Sequence, residues 1–233
     1  MASRRPLGSR AGVVGGRLAS ALYDDLKQQL IAGRLAPGQA LVVTEICAEH
    51  GISKQPVMEA LRALAADRLV EIQPQVGVRV REFTPAEIEA FFWLFSRSEG
   101  ALAHRAALQR TDAEVAQLEV LCTRLEALEA AAPTEQQQGY LAANQDLHAL
   151  IHQMARSELV EEISQGLWDL SDFLIATHGD GVRGRLPERN HGHRQILDAI
   201  RARDGHAAEA AMIAHILATP LAGRGEEPLS TAS

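Results

Sequence analysis

Nine histidines are many for 233 residues, and four positions combine donor chemistry with helical spacing. Asn144 and His148 stand four apart, which places them on one face of a helix. His193 opens the apolar run His193, Ile196, Leu197, Ile200, and His215 follows Ala211 and Met212 in a later segment. Three imidazoles and one amide oxygen, drawn from three helices of a bundle, would suit a borderline divalent ion such as zinc, nickel or manganese. Spacing alone favours the plainer account, in which helical histidines are polar surface or hydrogen-bonded core groups. His152 extends the same face as His148 and Asp146 does not; both read as solvated surface, with support of the first four residues as the alternative. His50, His104, His178, His191 and His206 read as surface or local capping groups.

A second chemistry sits near the N-terminus. The stretch 44–81 reads as a short helix, a glycine turn, a second helix and two short strands around a glycine. After Ile46 and Cys47 the chain must reverse within a few residues, and Gly51 supplies the positive φ without a Cβ penalty. Ser53 is expected to cap the second helix, with Lys54, Gln55 and Pro56 in its first turn. Val57, Leu61 and Leu64 fall at i, i+4 and i+7, so that face is buried. Ser53, Lys54, Gln55, Met58 and Arg62 remain on the other, where a capping hydroxyl, a lysine and an amide suit phosphate contact and base-edge reading in a major groove. A helical hairpin packed for structure only is the competing account. It does not explain why turn, cap and wing occur together and in order.

The elements that position these groups follow from patterning. Apolar residues make up 46% and aromatics 4% of the chain, a balance that favours packed helices over sheet. No run approaches the ~18 apolar residues of a membrane span, and no secretory leader is expected at the N-terminus. Cys47 and Cys122 lack metal-like spacing and read as buried free thiols of a reducing compartment, so a cytoplasmic location is expected. Net charge is −7, but residues 1–82 hold 11 Lys/Arg against 8 Asp/Glu, and residues 83–233 hold 12 against 22. A mildly basic module joined to an acidic body fits a DNA reader with a separate sensing domain.

Four segments are therefore expected. Residues 1–16 form a disordered, arginine-bearing arm, and 17–82 a winged helix-turn-helix. Residues 83–220 form an all-α antiparallel bundle for effector binding and dimerisation, and 221–233 a flexible tail. The fold class is mainly α. In the head, Leu18, Leu22, Leu26 and Leu30 mark the first helix, Thr44 is expected to cap the next, and residues 69–72 and 78–81 are strands with 74–77 as wing tip. In the bundle, Thr84 to Glu87 and Thr111 to Glu114 each spell a capping box. Helices are predicted over 86–109, 111–130, 140–155, 158–177, 187–203 and 204–218, with loops at 131–139 and 179–184.

The residues Gly33-Arg34-Leu35-Ala36-Pro37-Gly38 and Gly51-Ile52-Ser53-Lys54-Gln55-Pro56-Val57-Met58-Glu59-Ala60-Leu61 resemble the GntR family of bacterial transcription regulators. The helical remainder resembles its FadR-type subgroup with the FCD effector domain. The resemblance runs from about residue 18 to 218. It implies a homodimer that binds a short palindromic DNA operator and responds to a small ligand, usually a carboxylic acid. It assigns DNA contacts to Thr44, Ser53, Lys54, Gln55 and the wing at Val76 and Gly77, and it places Met58 on the reading surface where the family usually has Arg. Losing such an Arg costs about 1–3 kcal/mol per base contact and shifts the preferred operator. Arg68 stands where the family commonly has Gly. Metal-binding FCD members carry Asp or Asn, then His four residues on, then two later His. Asn144, His148, His193 and His215 match that order, with an amide in place of the carboxylate charge. The family's effector-pairing Arg on the first bundle helix aligns with Phe95 if Glu99 aligns with the family's Glu. Arg97 is then the neighbouring candidate for effector binding, and Phe91, Phe92, Trp93 and Phe95 read as core or dimer packing.

Three functions compete. The first is a ligand-responsive regulator, in which ligand or metal in the bundle shifts the placement of two DNA heads. The second is a metal-dependent enzyme with an accessory DNA-binding head. Against it, no HExxH, Ser/His/Asp order, phosphate-binding glycine loop or paired acid and base stands at motif spacing. The third is a regulator-like fold that has lost sequence-specific DNA binding. The first is the expectation carried forward: a regulator, not an enzyme.

Overall fold

The computed structural model describes residues 16–178 and 186–219. The arm expected up to residue 16, the break at 179–184 and the tail at 221–233 lie, apart from Gly16, outside the described residues.

The N-terminal unit is built on α1 (Gly16–Ile31), which buries Leu22, Tyr23, Leu26 and Leu30. Leu18 belongs to the same predicted stripe but is 57% exposed, so the packed face begins at Ala19. A short strand β1 (Ala40–Leu41) precedes α2 (Val43–His50). The expected cap is corrected here. Val42 is extended, and its carbonyl accepts from the Glu45 and Ile46 amides, so Val42 is the capping residue and Thr44 lies inside the first turn. Gly51 closes α2 at φ 63°, its amide donating to the Cys47 carbonyl. Ser53 then holds the capping position of α3 (Lys54–Ala66), although its hydroxyl makes no capping hydrogen bond. Val57, Ala60, Leu61 and Leu64 are buried, and α3 packs on α1 and α2.

Asp67 and Arg68 turn the chain into β2 (Val70–Gln73), and Arg68 takes the left-handed conformation at φ 64°. β3 (Gly77–Val80) returns antiparallel, pairing Val70 with Val80 and Gln73 with Gly77. β1 pairs on its other side, Ala40 with Arg79, so the sheet order is β1-β3-β2. The same unit takes in residues 165–178 of a later helix, α7 (Glu158–His178). Lys27 bonds Asp169 there, and the Phe83 and Phe173 rings meet edge to face at 6.3 Å. The segment division expected from sequence did not anticipate this contribution.

The second unit is helical. It takes in residues 89–164 and, among the described residues, 186–219. It draws on α4 (Pro85–Gln109), α5 (Asp112–Ala127), a 3-10 turn (Leu128–Ala130), α6 (Pro133–Met154), the start of α7, α8 (Leu186–Arg201) and α9 (Gly205–Leu217). Both capping boxes form: the Thr111 amide donates to Glu114 at 2.9 Å and the Thr84 amide to Glu87 at 2.8 Å. The loop expected at 131–139 is corrected. With Ala132 extended and Pro133 in the first turn, α6 starts there. Gly139 is a packing glycine inside it, where a Cβ would approach Leu128 Cδ2 to 2.9 Å. α5 packs on α6 and α8, and α8 on α9. Cys122 is buried as expected, its thiol pushed up to about 12 by burial, whereas Cys47 is half-buried. Among the described residues no helix is long and apolar enough to cross a membrane.

Candidate metal centre and nucleic-acid interface

The helical patterns that bury α6, α8 and α9 carry one histidine each into the same space. His148 lies one turn beyond Asn144 on α6. His193 sits between Asn190 and Ile196 on the buried face of α8, and His215 lies in the last turn of α9. All four side chains are buried. The His193 and His215 ring centroids stand 4.3 Å apart, and His148 is 5.7 Å from each. One ring nitrogen from each histidine lies within 4.8 Å of the other two. Gly192 makes this approach possible, because a Cβ there would come within 2.6 Å of His215 Nδ1. Asn144 Oδ1 accepts from the Tyr140 hydroxyl at 3.2 Å, and that hydroxyl accepts from Arg189 Nε at 2.6 Å.

The electrostatics favour neutral imidazoles. Burial lowers the pKa of His193 and His215 well below the ordinary value, and the charge of neighbouring histidines and of Arg189 lowers both further. Burial lowers His148 too, although Glu99 opposes it. Glu99 is fully buried, 3.6 Å from His148 Nδ1 and 2.9 Å from His152 Nε2, and it accepts from the Ser164 hydroxyl. Burial alone would raise the Glu99 pKa, but the two histidines outweigh it and hold the carboxyl at about 2. Both ring nitrogens of His193 are buried without a hydrogen bond among the described residues. Neutral imidazole nitrogens converging from three helices, one ring of them lacking any hydrogen bond among the described residues, are a donor set that fits a divalent cation.

Three residues of this site were not assigned to it from sequence. Glu99 follows the buried Phe92 and Phe95 by seven and four residues, a spacing that marks it as inward-facing. Tyr140 precedes Asn144 by one turn. Arg189 carried no local signal. His152, expected at the surface, is buried against Glu99, because α6 turns that whole face inward. Asp146 is exposed and pairs with Arg124 at 3.3 Å. Arg97 is exposed, with its guanidinium 5.4 Å from the Trp93 ring centroid. Two residues from Glu99 on a helix, it lies on the opposite side. Phe95, at the family's Arg position, is buried.

On the N-terminal unit, Ser53, Lys54, Gln55 and Arg62 are exposed on α3, Thr44 on α2, and Val76 and Gly77 at the wing. Met58 is half-buried. Gln55 Nε2 donates to Glu59 Oε1 at 3.2 Å, which places an acidic residue beside the amide expected to read bases.

Residues 18–80 match the family described as bacterial regulatory proteins, gntR family, and residues 99–218 match the FCD domain. The HTH-type transcriptional repressor RspR of Escherichia coli K12 is 29% identical over 204 residues, covering 84% of both chains. The galactonate operon transcriptional repressor of the same strain is 24% identical, over 82% of this chain and 90% of that one. Among solved structures, E. coli McbR/YncC superposes with a TM-score of 0.70 at 21% identity, over 86% of this chain and 93% of that one. That likeness concerns the fold.

Proposed function

The chain belongs to the gntR family of bacterial regulatory proteins and carries an FCD domain, and from that premise we propose a ligand-responsive repressor. It binds a palindromic operator as a homodimer in the cytoplasm and holds a divalent ion in the helical domain. The relatives named above are repressors, which supports repression. Residues 17–82 are the DNA-binding module, reading through Thr44, Ser53, Lys54, Gln55, Met58 and Arg62, with the wing at Val76 and Gly77. Residues 83–220 are the effector and dimerisation domain, apart from the stretch of α7 that packs with the head.

The observation that carries the metal reading is His193. A buried polar group without a partner costs about 1–3 kcal/mol, and both of its ring nitrogens stand in that condition beside His148 and His215. Asn144, His148, His193 and His215 would hold the ion, zinc, nickel or manganese. Glu99 faces His148 Nδ1 at 3.6 Å; a proton on Nδ1 would be oriented toward that carboxylate, and Nε2 would keep a lone pair for the ion. When bound, the ion supplies an exchangeable coordination position that an organic acid can occupy. With Arg97 on the outer side of α4, Arg189 is the cation that supports an anionic effector at the histidines, held there by its bond to Tyr140. Effector binding shifts the population between arrangements of the two DNA heads, for which a coupling of about 1–3 kcal/mol suffices.

The test is capture of sheared genomic fragments by the purified protein, with and without zinc. Enrichment of its own promoter supports the reading. Salt-dependent binding that does not distinguish that promoter from random DNA would instead favour a fold that has lost specificity.

A further inference from the structure

We propose that His104, His206 and Glu209 form a second divalent-cation site, at the surface of the helical unit where α4 meets the start of α9. One ligand atom from each of the three lies within 4.8 Å of the others. His104 Nδ1 stands 3.4 Å from Glu209 Oε2 without hydrogen bonding to it, and the His104 and His206 rings meet edge to face with centroids 5.0 Å apart. His206 and Glu209 are three residues apart, so both lie on the same face of α9.

The scaffold around these groups is built rather than incidental. Gly205 begins α9, and a Cβ there would come within 2.9–3.0 Å of three atoms of the His104 ring. Without a Cβ at that position the helix start lies directly against the imidazole, and a larger residue would displace the ring. Arg203, left-handed at φ 58°, donates to the Leu108 and Arg110 carbonyls at the end of α4, and Arg110 donates back to the Arg201 carbonyl at 2.8 Å. Asp204 Oδ1 accepts from the Ala207 amide at 2.9 Å and sets where α9 begins. The three donors are therefore carried on two helices whose ends are tied together.

An ion pair between His104 and Glu209 would account for two of these residues. It leaves His206, whose ring meets that of His104 edge to face at 5.0 Å, outside the pair. Two neutral imidazoles and a carboxylate instead suit a borderline dication, zinc, nickel or cobalt, with water in the remaining positions. Being open to solvent, this site binds more weakly than the buried cluster. Both involve α9, which carries His206 and Glu209 at its start and His215 near its end. A cation at the surface site would pin the helix that positions His215.

The experiment is a zinc titration of the chelator-treated full chain, with zinc salt alone as titrant, read beside anomalous diffraction at the zinc edge. His206→Ala combined with Glu209→Gln, both at positions open to solvent, should lose one weak equivalent relative to wild type, with affinity there falling at least tenfold. The tight equivalent should remain. The wild-type map should show a peak between His104 and His206 that the variant lacks. Equal zinc uptake by the two proteins, or a wild-type map without that peak, would overturn the proposal whatever happens at His148, His193 and His215. A peak in the crystal with no matching equivalent in solution counts against it as well.

Discussion

The Glu99 carboxylate lies 2.9 Å from His152 Nε2 and 3.6 Å from His148 Nδ1, with all three side chains buried. A carboxylate in that position fixes imidazole orientation and raises ligand basicity. Glu99→Gln keeps the shape and removes the charge. It should weaken zinc binding about 10–100-fold, measured by competition with a chromophoric chelator. Unchanged affinity would mean that Glu99 only packs.

Gly192→Ala tests the close approach of α8 to α9. The added methyl falls 2.6 Å from His215 Nδ1, so either the ring or the helix must move. Overpacking of this kind costs about 1–3 kcal/mol. The expected outcome is a lower unfolding midpoint in urea together with loss of the tight zinc equivalent, whereas Gly166→Ala, with open space around its Cβ position, should leave zinc binding unchanged.

The metal-free protein should become acid-sensitive above the range where carboxylates titrate. Burial holds the folded-state pKa values of His193 and His215 well below the ordinary histidine value, which in an unfolded chain is about 6.5. As pH falls below that value, the unfolded chain takes up protons that the folded one does not. The stabilisation is thus fully present above pH ~6.5 and declines toward the depressed values, by up to about 1.4 kcal/mol per pH unit for each proton. Urea midpoints between pH 7.5 and 5 should fall less steeply in His193→Gln than in wild type.

Arg68 is exposed and left-handed at φ 64°, a conformation that disfavours side chains with a Cβ by about 1–2 kcal/mol. Arg68→Gly should therefore stabilise the N-terminal unit by about 0.5–1 kcal/mol after the greater freedom of the unfolded glycine is counted. A rise of a few degrees in its melting transition is the readout. A fall would mean that the arginine makes a compensating contact.

Lys54, Met58 and Arg62 recur every fourth residue along α3, so two cations flank an uncharged, half-buried position. Lys54→Ala should weaken binding about equally across DNA sequences and reduce the slope of log K against log salt by about 1. Met58→Arg should steepen that slope by about 0.9 if the new guanidinium meets a phosphate. If it meets a base edge instead, the preferred operator should change. Fluorescence anisotropy across a salt series distinguishes these outcomes.

The head was legible in the sequence because its signals are local. Gly51, Ser53, Pro56 and the Val57, Leu61, Leu64 stripe each act within one or two turns, and the structure places a left-handed turn, a capping position and a buried face there. At two positions the local signal is ambiguous. Gly139 reads as a loop breaker but is a packing glycine beside Leu128, and Thr44 is as good a capping type as Ser53 but sits two residues past the capping position.

Local patterning and family likeness together marked Asn144, His148, His193 and His215 as donors, and the apolar spacing around His193 and His215 agrees with the buried faces they occupy. That His152 and Glu99 meet beneath His148, that Arg189 reaches Tyr140, and that the His104 and His206 rings meet edge to face are pairings between helices distant in sequence. They depend on how far each helix is rotated and slid against its neighbour, and those quantities are set by the packed side chains of both partners, such as Gly192 against His215 and Gly205 against His104. Periodicity determines which face of a helix turns inward; only the packed tertiary structure determines what that face meets.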